Sequence, residues 1–340
     1  MEETTSLGGI INLGLTCYAN AVIQCIRHCK HIEDLLEQDG KYKELLLKND
    51  KRAIMTSSFA EVVQMLKKCK RGQRVKPLDF LTKFRDCIST TGFSHLASQA
   101  PHDSYEFYLC LLDMLHESMA QEVKMNIMKD VLNAKDTRHA QALAIWKKEF
   151  EKKYSPFVES SYGLLYFVVE CSNCKKETYR WEPMTAIKAV VESNKNSLNL
   201  KEMLDAEFVE EEFDDYDCEN CRPTRQKATR KTYVWKLPKY VVVVLKRFTF
   251  DGRRINTPLV LDDHTVSFKH IFSEKSPEYN STGKYVLTSI LDHHGGAGGG
   301  HYTAQCKRNG VWTVYDDESI HTRTCPHIGS SNYMLWFTGE

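Results

Sequence analysis

Two Cys-x-x-Cys knuckles, Cys171-Ser172-Asn173-Cys174 and Cys218-Glu219-Asn220-Cys221, constrain this chain more than any other feature. Each presents two thiols from a tight turn, and four thiolates complete a tetrahedral shell about 2.3 Å from a zinc ion. Such a closed shell is structural, and it obliges two separate stretches of chain to meet. At the tip of a long β extension without hydrophobic bulk, the metal replaces a missing core, contributing on the order of ten kcal/mol of apparent folding energy in small zinc modules. The competing readings are a redox dithiol and unrelated thiols. Neither knuckle lies at a strand-to-helix junction within a βαβ pattern, which weakens the redox reading.

A second constraint lies near the start of the chain. In Gly9-Ile10-Ile11-Asn12-Leu13-Gly14-Leu15-Thr16-Cys17-Tyr18-Ala19-Asn20, one cysteine stands between a glycine-bearing loop and an amphipathic helix predicted over Tyr18 to Cys29. Unpaired amides and the macrodipole at a helix N-terminus favour a thiolate and can carry its pKa below neutrality; the same amides suit an oxyanion. The plainer reading is a buried structural thiol, because free cysteine packs as a small hydrophobe. A base for a nucleophile is available in His293-His294-Gly295-Gly296-Ala297-Gly298-Gly299-Gly300-His301-Tyr302. The glycine run admits a substrate backbone closely and leaves the loop free to move. Beyond His301, residues 302–306 and 311–315 read as strands joined at Asn309-Gly310, a strong hairpin signal. That hairpin delivers Asp316-Asp317 beside the histidine, where a carboxylate accepts the imidazole N–H and fixes its tautomer. Strand side chains alternate faces, so only one of the two acids points at the ring in a given register.

With Cys17, His301 and the following acid in this order, the chain resembles the ubiquitin-specific protease family, the papain-like deubiquitinating cysteine proteases. Further blocks fall in the family's order. Gln99 to Phe107, followed by Leu111 to Glu117, resembles a paired-glutamine and aspartate box and its helix; Trp235 to Phe248 resembles a palm strand and Asn332 to Phe337 the closing one. The resemblance implies an α+β fold with a helical thumb (about 7–160), zinc-ribbon fingers (about 161–235) and a β-rich palm (about 236–340), all one catalytic domain over 7–340. It implies that Cys17 attacks the C-terminal glycine carbonyl of ubiquitin, that His301 is the base, that Asp316 orients it with Asp317 as neighbour and substitute, and that the Asn12 amide stabilises the oxyanion. Asp103 and Glu106 would pair with arginines of the ubiquitin tail, in a channel lined by Gly295 to Gly300 and Tyr302. Cys171, Cys174, Cys218 and Cys221 would hold a structural Zn2+ in fingers that cradle ubiquitin. Two departures stand out: Leu15 where the family commonly has Asn, and His102 and Tyr105 within the glutamine box. A protease for another Gly-Gly-ending modifier, a non-catalytic ubiquitin-binding scaffold and a zinc-ribbon nucleic-acid binder are the rival functions.

A formal net charge of +1 on 340 residues gives no basic footprint for nucleic acid. No apolar run approaches the length that spans a bilayer, so no membrane role is expected. Twelve cysteines without an N-terminal apolar signal segment point to a reducing compartment, cytoplasmic or nuclear. With Cys17 so near the start, no N-terminal recruitment domain is expected and specificity falls to the catalytic body. Residues 59–66 and 77–84 read as helices, and Asp103 to Met119 as the longest periodic stretch, with Phe107, Cys110, Leu111, Met114 and Leu115 as core. Residues 125–154, polar and rich in Lys and Ala, are helical or an insertion and receive no function. From Tyr162 the period changes: residues 164–169 enter the first knuckle as a strand, and 227–235 leave the second as another. The acidic run between Glu207 and Asp217 is a solvated face, or, on the fingers, a steering surface for the basic face of ubiquitin.

Overall fold

The computed structural model of the chain describes residues 7–37, 40–126, 134–280, 283–296 and 299–339. Its helices are α1 (Cys17–Arg27), α2 (Lys30–Glu37), α3 (Lys41–Leu45), α4 (Lys51–Lys68), α5 (Leu78–Ile88), α6 (Ser104–Ser118), α7 (Ala134–Phe150), α8 (Phe157–Ser161) and α9 (Leu200–Glu207). The first strands are β1 (Gly9–Ile10), β2 (Arg74–Val75), β3 (Gly163–Cys171), β4 (Glu177–Met184), β5 (Ile187–Val190), β6 (Leu198–Asn199), β7 (Glu211–Tyr216) and β8 (Gln226–Lys236). The remainder are β9 (Tyr240–Lys246), β10 (Leu259–Val260), β11 (Thr265–Val266), β12 (Tyr285–Gly296), β13 (Gly299–Arg308), β14 (Val311–Asp316), β15 (Ser319–Arg323) and β16 (Asn332–Gly339). The α+β architecture read from the sequence is the one observed, with helices gathered in the first half and strands in the second.

Helix α1 is the pivot. It begins at Cys17 and ends at Arg27, where the chain turns toward α2, so the reading that carried it to Cys29 is two residues long. An amphipathic helix was the expectation; instead every residue of α1 is buried, between α6 on one side and β13 on the other. Hydrogen bonds offset the cost of burying most of its polar side chains: Gln24 Nε2 donates to the Gly8 carbonyl at 3.0 Å, and Arg27 Nε donates to Gln24 Oε1 at 2.6 Å, although Asn20 Oδ1 finds no partner among the described residues. Around α1, Phe59 and Phe80 of α4 and α5 meet Phe84 and Phe107 in one aromatic-rich core. Helix α4, at 18 residues, is longer than α6, at 15, although the apolar periodicity is stronger in α6. The apolar spacing of α4 is the weaker of the two because Ile54 and Met65 stand exposed while Thr56 and Ser58 are buried.

Eight strands form the larger sheet, in the order β15-β14-β13-β12-β16-β9-β5 with β11 on β12, so β5 of the 161–235 segment joins strands that follow residue 236. Val241 to Val244 of β9 are buried on both faces, as a continuous apolar run in a central strand should be. The β13–β14 hairpin turns at Asn309 and Gly310, whose φ values of 49° and 82° suit the tight turn predicted there. The glycine run, read as a mobile loop, is instead the end of a ladder: Gly295 pairs with Gly300 and Gly296 with Gly299, while Ala297 and Gly298 lie outside the described residues.

A second sheet, β4-β3-β8-β7, carries both cysteine knuckles. Helix α7, within the segment left without a function, lays Ala142, Ile145 and Trp146 over Tyr166, Trp181 and Trp235 at the base of this sheet. The acidic run contributes β7, and its acids face bases from β8 and the adjoining turn: Glu211 meets Arg230, Asp214 meets Lys227, and Asp217 meets Arg222. Exposed pairs of this kind add little stability, but they cancel the field that a steering surface would need. Among the described residues no helix is long and apolar enough to cross a membrane.

Candidate active site

Cys17 is the first residue of α1, at the end of a loop that Asn12 organises. The Asn12 side-chain Oδ1 accepts from the Gly14 and Thr16 amides at 3.0 and 3.2 Å, closing the loop on itself. Gly14 and Leu15 both adopt left-handed backbone, with φ of 87° and 59°. For leucine this costs about 1 kcal/mol, which asparagine would largely avoid, and its side chain stands exposed at the mouth of the site. The thiol does not show the low pKa expected of a helix start. Burial pushes it up and the nearby Asp317 charge adds to that, outweighing the backbone hydrogen bonds at Tyr302, Tyr18 and Cys17 that favour the thiolate. Helix position stabilises a thiolate only to the extent that the sulfur stays solvated, and this sulfur is packed.

His301 follows the glycine ladder on β13, and its Nε2 lies 2.6 Å from Asp316 Oδ1 at the end of β14. Both side chains are about half exposed. No hydrogen bond joins the imidazole to the Cys17 thiol, a looseness common in active sites without substrate. Asp317 lies close by, with a carboxylate oxygen within 4.8 Å of a ring nitrogen, but it hydrogen-bonds other partners. In left-handed backbone (φ 49°), it accepts from Asn12 Nδ2 through one carboxylate oxygen and from Asn20 Nδ2 through the other, each at 2.8 Å. Its carbonyl accepts from Ile10 N at 2.9 Å, and Glu318 Oε1 accepts from Asn12 N at 3.1 Å. Adjacent acids at the end of one strand thus serve two different partners.

A channel runs to Cys17 past Tyr18, His102, Asp103, Phe248, His293, Gly300 and Tyr302. Glycine is required at 300, because a Cβ there would lie 2.3 Å from His293 Nε2 and 2.6 Å from the His294 carbonyl oxygen. Buried beneath it, His293 packs on Tyr302 at 4.6 Å, and among the described residues its Nδ1 has no hydrogen-bond partner. Burial and the neighbouring Arg254 charge lower its pKa to about 4, so the ring is neutral. Asp103 caps α6 with Oδ1, accepting from the Tyr105 and Glu106 amides, and takes the Tyr333 hydroxyl on Oδ2 at 2.7 Å. Burial raises its pKa despite these donors. Glu106 does not join it: its carboxylate is half exposed, 3.1 Å from His95 Nε2.

The four cysteines of the knuckles converge at the far end of the second sheet. Cys171 and Cys221 sulfurs lie 3.9 Å apart, Cys174 and Cys218 sulfurs 3.5 Å, and all four fall within 4.8 Å of one another. Sulfurs in a tetrahedron 2.3 Å from a metal stand about 3.8 Å apart, so this cluster is spaced to bind a metal ion. The crowding separates the thiols: backbone amides of Cys174 and Asn173 draw Cys171 down to about 7, while burial pushes Cys221 up to about 12. As thiolates, the four would need a cation among them.

Asn20, Glu318, Tyr333 and Phe248 escaped the sequence reading, and His293, read there only as part of the base-bearing segment, lies beneath Gly300. Asn20 falls one helical turn after Cys17, where its amide reaches the Asp317 turn, and that spacing was the available signal. For the rest, contacts between separate strands had no local signature.

The ubiquitin carboxyl-terminal hydrolase family model matches residues 8–337 of this chain. Among curated proteins, ubiquitin carboxyl-terminal hydrolase Usp2 of Drosophila melanogaster is 26% identical over 99% of this chain and 35% of its own length. Human ubiquitin carboxyl-terminal hydrolase 2 is 24% identical over 99% of this chain and 55% of its own. The chain thus spans between about a third and just over half of these relatives. The fold is similar to that of the SAGA DUB module of Ubp8, Sgf11, Sus1 and Sgf73 bound to monoubiquitin, with a TM-score of 0.75 at 21% identity over 100% of this chain and 70% of that one. The same module bound to ubiquitin aldehyde gives a TM-score of 0.73 at 21% identity, over 100% of this chain and 71% of that one.

Proposed function

The chain belongs to the ubiquitin carboxyl-terminal hydrolase family, and on that premise we propose that it is a deubiquitinating thiol protease that cleaves after the C-terminal glycine of ubiquitin. The observation that carries this reading is the 2.6 Å contact between His301 Nε2 and Asp316, beside a glycine-floored channel that ends at Cys17. With Nε2 committed to the carboxylate, Nδ1 is left to take the thiol proton. Because burial holds the Cys17 thiol above its ordinary pKa, the thiolate depends on His301 to take that proton.

The thiolate then adds to the glycine carbonyl. His301 returns the proton to the leaving amine, and a water activated by His301 hydrolyses the thioester. The Cys17 backbone N–H and the Asn12 amide, whose second hydrogen remains after the bond to Asp317, would hold the oxyanion; one such donor contributes about 3 kcal/mol. Tyr302 and Gly300 line the tail path, and Asp103 supplies a charge on its wall. Glu106, being outward-facing, would meet the tail only at the channel mouth.

Zinc is the metal that four thiolates at this spacing suit, and it would lock the two knuckles without entering the chemistry. A reducing compartment, cytoplasmic or nuclear, keeps these thiols and Cys17 available. The test is a panel of C-terminal fluorogenic modifiers: ubiquitin, the neural-precursor-type modifier and the interferon-induced two-domain modifier, compared by kcat/KM. Ubiquitin should lead. A faster reaction with another modifier would reassign the substrate, and turnover of none would leave a binding scaffold.

A further inference from the structure

The segment Lys67-Lys68-Cys69-Lys70-Arg71-Gly72-Gln73-Arg74-Val75-Lys76 concentrates cations, without one acid, in a chain whose net charge is only +1. It leaves α4, turns, forms β2 and leads into α5. The buried Cys69 and Val75 fix the turn from below, while Lys68, Lys70, Arg71, Arg74 and Lys76 are exposed. Gln73 closes it, its side chain accepting from the Lys70 amide at 2.7 Å and its own amide donating to the Lys70 carbonyl at 3.0 Å. Lys67 is paired with Glu37. Among the described residues, no ion pair or side-chain hydrogen bond is recorded for Lys68, Arg71, Arg74 or Lys76. The second sheet shows the contrast, since Glu211 and Asp214 meet Arg230 and Lys227 across β7 and β8, and Asp217 meets Arg222 in the turn between them.

The position of this turn gives the charge a use. Gly9 and Ile11 amides bond to the Gln73 and Val75 carbonyls at 3.0 and 2.9 Å, and Ile10, between them, donates to the Asp317 carbonyl at 2.9 Å. Strand β1 therefore separates the basic turn from the Asp317–Glu318 turn, and two strand spacings place their backbones about 10 Å apart. Neither Asn12, Asp317 nor Glu318 lines the channel that brings the tail to Cys17. The channel ends at Cys17, and the thiol there feels the Asp317 charge, so a protein attached beyond the scissile bond would leave the site near these turns.

Resting on the deubiquitinase reading, we propose that the Lys68–Lys76 turn docks acidic sequence flanking the modified lysine of the conjugated protein. A protein fits better than a nucleic acid: the segment has no aromatic side chain on which a base could stack. Exposed apolar side chains bracket it instead, Met65 on α4 and Leu78 at the start of α5. Unneutralised cations beside a site raise the local concentration of an acidic substrate and lose that effect in salt.

The experiment compares ubiquitin joined by an isopeptide bond to a fluorescent peptide rich in Asp and Glu with the same conjugate bearing Asn and Gln. Wild type should prefer the acidic conjugate in kcat/KM by about tenfold at low ionic strength. High salt should abolish the preference, as should the combined variant Lys68→Ala, Arg71→Ala, Arg74→Ala, Lys76→Ala. Hydrolysis of ubiquitin bearing only a small fluorophore should be the same in both proteins, as should their Tm. Equal rates on the two conjugates, or a preference that survives in the variant, would overturn the proposal. Should the protein hydrolyse no ubiquitin substrate, the deubiquitinase reading fails; anisotropy of the free acidic peptide then decides separately whether the turn binds it. Tighter, salt-sensitive binding of duplex DNA than of the acidic peptide would also overturn it, in favour of a nucleic acid.

Discussion

At the scale of single residues, the site divides labour between two adjacent acids. Asp316 touches the imidazole, whereas Asp317 holds Asn12 and Asn20. Asp316→Ala should lower kcat by about a hundredfold, less than in serine enzymes because cysteine depends less on its orienter. Asp317→Ala should cost less and should mimic Asn12→Ala, with the double variant no worse than the poorer single one, because both act on the same amide. Fully additive losses would separate Asp317 from Asn12, and a ranking with Asp317 above Asp316 would move the orienting role. The buried thiol gives a second expectation at this scale. Since burial opposes the thiolate, iodoacetamide labelling of Cys17 in the free protein should rise with pH, with a midpoint above the ordinary value of about 8.5. A midpoint below neutrality would mean that the helix terminus outweighs burial.

Among the elements, the cysteine sheet depends on its tip. Cys174→Ser or Cys221→Ser should reduce soluble yield and loosen β3 and β8, and metal analysis of the wild-type protein should find about one zinc per chain. Purified, reduced, unchelated protein without metal would refute the site. These knuckles were legible in the sequence because a fixed spacing and a single residue type report them directly. The same holds for the Asn309-Gly310 hairpin and for the buried run of β9, each encoded locally. What escaped the sequence was set by distant partners. The burial of all of α1 depends on β13 closing over its polar face, and the pairing of the acidic run depends on bases across β8. The depressed thiolate preference of Cys17 is of the same kind, since its helix position is local and its burial is not. Gly300, by contrast, was marked by the glycine run, and the structure supplies the reason in His293 beneath it. Gly300→Ala should therefore lower kcat/KM on fluorogenic ubiquitin by tenfold or more, on the order expected for a misplacement of about 1 Å at a catalytic channel. Unchanged kinetics would show that the channel floor yields.

For the whole molecule, the neutral His293 ties stability to pH. Its pKa is lowered to about 4, while an unfolded histidine titrates near 6.5. Between these values the unfolded chain takes up a proton that the folded chain refuses, so this contribution is complete above about pH 6.5 and is lost as pH falls toward 4. Relative to His293→Gln, wild-type Tm should fall across that window; parallel curves would contradict the burial of a neutral ring. The central claim, that the palm and the helical half of the molecule meet to make Cys17 a nucleophile for a ubiquitin C-terminus, is tested most directly by a ubiquitin probe with a C-terminal propargyl group. Mass spectrometry should show one ubiquitin bonded to Cys17 in wild type and none in Cys17→Ala. A folded wild-type protein that forms no adduct, or an adduct that persists in Cys17→Ala, would contradict the account.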